Sequence, residues 1–237
     1  MIKRKLLASC FAFAVMAPTY SLASQITLST SSVYFDLNKQ EKKTVSVMNV
    51  DKGTNSYFEV VVNEVINPGK NEILKKVINP AQGGIIVTPS KSLVRKGDSS
   101  RVISVINLNE HLEKERVYRV DVKPVISGIE NMDADQKAVK LLLGYDILVH
   151  IQPNFPTFFS TAKINGNELV VSNIGNTHFV IADLQACNAL DVCTELKGGN
   201  LYSGVEGRVG LPADTTKVVF YKAKRGSEKE KVIVLRQ

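Results

Sequence analysis

The sequence predicts an all-β protein built as two sandwich domains in series behind a cleavable leader, and three observations carry that prediction. Nearly every segment between turn signals alternates apolar and polar residues or is rich in β-branched ones, as half-buried strands require. One stretch, "AVKLLLGYDILVHIQP" (residues 138–153), keeps an apolar or aromatic residue at every second position from Val139 to Ile151. The alternation then breaks at "NFPTFF" (residues 154–159) before a second series begins.

The chain of 237 residues opens with "MIKRKLLASCFAFAVMAPTYSLAS". A cationic cluster at Lys3, Arg4 and Lys5, an apolar run from Leu6 to Ala17, and small residues at Ser21 and Ala23 make residues 1–23 a secretory signal peptide. An uncleaved anchor is the weaker reading, because the run falls short of the roughly 20 apolar residues that cross a bilayer. Cleavage removes three of the 30 basic residues and leaves 27 against 23 acids, a mild excess of +4. Lysines and arginines alternate with acids, as in "KQEKK" and "RGSEKEK", so no nucleic-acid patch is read. Of three cysteines, Cys187 and Cys193 remain in the mature chain. Six residues apart in an oxidising compartment, they are expected to form a disulfide that staples a turn. A metal site there fits less well, since His178 is the only histidine in that region.

The first series comprises "QITLSTSSVYFDL", "KTVSVMNV", "SYFEVVVNEV", "GGIIVTPSKSLVRKGDSSRVISVINL", "RVYRVDVKPV" and the long stretch. The second comprises "AKINGNELVVSNIG", "FVIADLQAC", "RVGLPADTTKVVFYKA" and "KVIVLRQ", with Asn165-Gly166 as a hairpin signal. Domains of residues 24–153 and 154–237 are expected, both of ordinary sandwich size. The polar "SGIENMDADQKA" ahead of the long strand reads as a loop.

Catalytic chemistry is not visible. The sequence lacks a GxSxG elbow, an HExxH helix and a P-loop. His111 and Glu115 lie in the charged connection "NEHLEKER", which reads as a solvated turn, and Asp133 with Asp135 do not make a calcium loop. No enzyme activity, cofactor or metal is expected. The long strand offers a different function. An extended edge displaying Val139, Leu141 and Leu143 can pair with a foreign sheet and fill its apolar groove, while Ile147, Val149 and Ile151 pack at home. Gly144 permits a bend between the two parts.

With these features together, the chain resembles the periplasmic chaperones of chaperone–usher fimbriae. "IIVTPSKSLVRKGDSSRVISVI" with Arg101, "EKERVYRVDVKPV", "LVVSNIGNTHFVIADL" with Asn173 and Thr177, and "GLPADTTKVVFYKA" are similar to family segments. The resemblance spans almost all of residues 25–237. It implies two immunoglobulin-like domains in an L shape, and donor-strand complementation of fimbrial subunits, major and minor (adhesin), before delivery to the outer-membrane usher. The implied subunit-binding strand holds Val139, Leu141, Leu143 and Tyr145, the last packing within its own sandwich.

The family's usual basic pair for the subunit's terminal carboxylate falls here on Ser32 and Leu148, neither a cation. Arg119 and Lys123, on the strand face opposite Tyr118, Val120 and Val122, are the candidate replacements. Glu115 matches the acidic member of the family's domain-linking charges, but Gln152 replaces its arginine. These departures make the chain most like the alternate branch serving CFA/I-type (class 5) fimbriae. The alternative reading is a secreted fimbrial structural subunit or adhesin. Self-association that covers the exposed apolar strand is a further expectation.

Overall fold

The computed structural model describes residues 26–36, 42–50, 53–97, 100–125, 142–223 and 229–236. Residues 1–23, read as a leader, and the segment with Asp133 and Asp135 lie outside these. The first sandwich is formed by β1 (Ile26–Leu28), β2 (Ser32–Asp36), β3 (Lys42–Asn49), β4 (Ser56–Ile66), β5 (Ile73–Lys76), β6 (Ile85–Thr88), β7 (Lys91–Val94), β8 (Ser100–Asn107), β9 (Arg116–Val125) and β10 (Tyr145–Gln152). One sheet runs β1-β3-β8-β6; the other runs β2-β10-β9-β4-β5, with β7 also paired to β4. Alternation dictates this. In β9, Tyr118, Val120 and Val122 are fully buried while Arg119 and Asp121 face out. Ile147, Val149 and Ile151 of β10 are equally buried and meet Val45, Val47, Ile103 and Val105 of the facing sheet in one core.

The first β segment divides between the two sheets, since β1 pairs antiparallel with β3 whereas β2 pairs parallel with β10. Between β5 and β6 the chain makes one helical turn, α1 (Pro80–Gly83). Asn79 caps it by accepting from the Ala81 amide, Pro80 supplies a preset φ, and Gly84 ends it at φ 73°.

The second sandwich holds β11 (Ser160–Asn165), β12 (Glu168–Asn173), β13 (Phe179–Cys187), β14 (Cys193–Glu195), β15 (Gly199–Leu201), β16 (Glu206–Gly210), β17 (Lys217–Ala223) and β18 (Glu230–Leu235). Its sheets are β11-β12-β16 and β14-β13-β17-β18, with β15 on β13. Leu169, Val171, Phe179, Leu184, Val218 and Phe220 form its core. The expected hairpin is present one residue on. Asn165 pairs with Glu168, so the turn residues are Gly166, at φ 56°, and Asn167. Cys187 and Cys193 are bridged as expected, across the β13–β14 hairpin. No helix among the described residues is long and apolar enough to cross a membrane.

The two sandwiches meet along a seam. Asn176 ties it at several points: its backbone carbonyl receives the Glu115 amide at 2.9 Å, and its side chain donates to Glu113 O and Phe155 O. Tyr202 inserts between Val65 and Val117 of the first sandwich, with Leu148 against them. Gly69 makes room for it, since a Cβ there would stand 2.8 Å from the Tyr202 ring, and its φ of 78° suits glycine.

Candidate functional site

The outward face of the β2-β10-β9-β4 sheet is arranged in cross-strand rows set by register. Asn63, Arg119, Leu148 and Ser32 are direct neighbours in one row. Thus the two positions where a basic pair was expected do stand side by side, and Arg119 stands next to them. Its guanidinium bonds Glu72 at 2.8 Å and lies 3.8 Å from Asp146. In the following row Asp121 pairs across from Asp146; it accepts from Asn63 at 3.1 Å and lies 3.5 Å from Lys123. Burial, with the facing Asp146, raises the Asp121 pKa. This cleft face therefore carries two cations already engaged by three carboxylates, so an incoming carboxylate must compete with Glu72 and Asp146 for Arg119.

β10 has unequal edges. β9 pairs along it from Tyr145 to Ile151, whereas β2 covers the opposite edge only from Leu148 onward. Ahead of Tyr145 the backbone leaves the regular ladder, and Leu143 is 43 % exposed. Tyr145 is partly buried against the first core, as expected of it. Val139 and Leu141 lie outside the described residues. At Gly144 an added Cβ would meet Lys123 and Val122 at 3.6 Å, ordinary contact, so the space there does not demand glycine.

One reading needs correction. Glu115 is not in a solvated turn, as its charged surroundings suggest, but is buried at the seam, in keeping with its match to the family's domain-linking charges, and two histidines from different sandwiches converge on it. His150 Nδ1 and His178 Nδ1 each lie 2.7 Å from Glu115 Oε1, while the Thr177 hydroxyl and the His178 amide donate to Oε2 at 3.1 and 2.7 Å. Burial would raise the Glu115 pKa, but the two imidazoles outweigh it and hold the carboxyl down to about 2. An ionised carboxylate only accepts, so both imidazoles carry their proton on Nδ1. Tyr34 stacks on His150 with centroids 4.7 Å apart at 9°, and the Tyr202 ring lies nearly parallel to it at 6.1 Å and 8°. Sequence reasoning missed this cluster because its members are remote in the chain. The signal that could have found it is His150 itself, a histidine on the outward phase of a strand directly before the domain break.

No protein-family model matches the chain. It is 25 % identical over 162 residues to a CFA/I fimbrial subunit of Escherichia coli, spanning 66 % of this chain and 67 % of that one. It is 24 % identical over 181 residues to a CS1 fimbrial subunit of Escherichia coli, spanning 72 % and 75 %. Among solved structures, the fold matches the class 5 fimbriae chaperone CfaA at TM-score 0.68, with 20 % identity over 90 % of this chain and 99 % of that one. A chaperone–tip adhesin complex for CFA/I fimbriae biogenesis matches at 0.65, with 21 % identity and coverage of 89 % and 98 %. The SafB chaperone complex with the SafA pilin of Salmonella enterica matches at 0.61, with 13 % identity and coverage of 90 % and 100 %. The fold is thus the two-domain fold of fimbrial chaperones.

Proposed function

We propose that the protein is a non-enzymatic periplasmic chaperone, exported by residues 1–23, that completes fimbrial subunits by lending them an edge strand and passes them to an outer-membrane usher. Residues 24–153 form the donating domain and residues 154–237 the second. The observation that carries this reading is the leading half of β10, with which β2 does not pair before Leu148, the residue that stands beside Arg119. A partner strand placed ahead of β2 and running parallel to β10 brings its C-terminal end to Ser32, Leu148 and Arg119. A cation there favours a terminal carboxylate, so charge selects parallel pairing.

The two Escherichia coli relatives are named fimbrial subunits, the alternative reading. A pilus building block that still lacks its donor strand would leave one apolar core open, whereas here Val45, Val105, Ile147, Leu169, Val218 and Phe220 are all 0 % exposed.

The test is co-purification from periplasm with a co-expressed major subunit of a class 5 fimbria. Leu141→Glu and Leu143→Glu place a carboxylate in the partner's groove at a cost of several kcal/mol. Loss of the complex with the chaperone still folded is the expected result; an undiminished complex places the donor elsewhere.

A further inference from the structure

We infer that Glu115, His150 and His178 form a binding site for one divalent transition-metal ion of the zinc class, assembled only when the two sandwiches dock. The ligand atoms lie within 4.8 Å of one another, and the three side chains are 2 %, 0 % and 7 % exposed. Two imidazole nitrogens and one carboxylate oxygen are a donor set suited to zinc, whereas calcium and magnesium favour oxygen alone.

The surroundings fix these atoms as outer-shell partners fix metal ligands. Thr177 Oγ1 and the His178 amide hold Oε2 at 3.1 and 2.7 Å, which leaves Oε1 turned toward both Nδ1 atoms. Tyr34 stacks on the His150 ring and Tyr202 lies nearly parallel to it, so its orientation is constrained from outside the cluster. The observed Nδ1 to Oε1 separations of 2.7 Å describe the proton-held form. Bonds of about 2.1 Å in a tetrahedral site need ligand atoms roughly 3.4 Å apart. Each Nδ1 to Oε1 separation must open by roughly 0.7 Å by that geometry, through side-chain rotation for His150, which shares the first sandwich with Glu115, and through rotation or a shift at the junction for His178. On binding, the ion takes the place of the proton on each Nδ1, and solvent carries that proton to Nε2 of a ring that held no other.

The mature chain, stripped with chelator and dialysed, is titrated with Zn²⁺ alone by calorimetry and with Co²⁺ under visible absorption. The expected result is one ion per chain, the intense bands of low-coordinate cobalt, and a rise in Tm with Zn²⁺. His178→Gln, which can still donate to Glu115, is expected to bind at least about tenfold more weakly and to lose that rise. Failure of the wild type to take up a stoichiometric ion overturns the site, as does binding undiminished in both His178→Gln and Glu115→Gln. Should those variants not fold, nitrogen NMR of the wild type decides: Zn²⁺ must shift Nδ1 of both His150 and His178, and unmoved resonances sink the assignment.

Discussion

Asn173 holds a turn that apolar contacts do not. Its amide donates to Thr177 O at 2.9 Å and Leu201 O at 2.8 Å, and its carbonyl accepts from the Gly175 amide at 2.9 Å, all buried. Asn173→Ala strands those groups, so a loss of roughly 3 kcal/mol is expected in urea denaturation. Tyr118 is the corresponding anchor in the first sandwich, its hydroxyl donating to Gly83 O at 2.7 Å. Burial pushes this phenol from 10.0 up to about 12. A folded pKa above the unfolded one means that its stabilising contribution is intact below pH 10 and is lost as pH rises toward 12. Stability curves should fall across that window, and Tyr118→Phe should flatten the fall. At Arg119, Glu72 competes for the guanidinium at 2.8 Å. If subunits dock by a terminal carboxylate, Glu72→Gln should tighten the complex and Arg119→Ala weaken it, as measured by subunit co-purification. Arg119 was legible because strand periodicity puts it opposite Tyr118, whereas its ion-pair partner on a separate turn was not.

Alternation identified most of the strands because each faces a core on one side and solvent on the other, the condition under which period two survives. It fails where both faces are covered. In β10, Ile147, Val149 and Ile151 lie on the first core, yet His150 between them is 0 % exposed because the second sandwich lies over it. The pattern alone cannot distinguish that from a strand open to water. α1 also escaped, since four residues give no helical period and only its caps mark it. The hairpin was legible from Asn165-Gly166, with its turn one residue further on, and the Cys187–Cys193 staple was legible from local chemistry. The staple closes a short loop, so replacing both cysteines with serine is expected to cost about 2 kcal/mol by thermal denaturation without changing the fold.

The two sandwiches are coupled through few but buried groups: Tyr202 on Val65 and Val117, and Glu115 on His178. Tyr202→Ala removes an aromatic side chain from that junction. Calorimetry should then resolve one cooperative transition into two, the sign that each sandwich has kept its own core. How the halves join was legible only at Glu115, through its match to domain-linking charges; its partners were not, because the contacts span distant stretches of chain, Glu115 and His178 for instance being separated by 63 residues. The bond from His150 to Glu115 has a consequence for information rather than energy. A strand has only two phases, and this bond fixes which one β10 adopts, because a one-residue slip would carry His150 into the core and Ile147 out of it. A donated strand continuing from β10 would be counted from that phase as a scale is counted from its zero. If subunits are captured by strand donation, deleting Gly144 should shift Leu143, Leu141 and Val139 by one phase and weaken subunit co-purification while β10 stays in place, and deleting Leu142 as well should return Leu141 and Val139, though not Leu143, to their original phase and recover part of the capture.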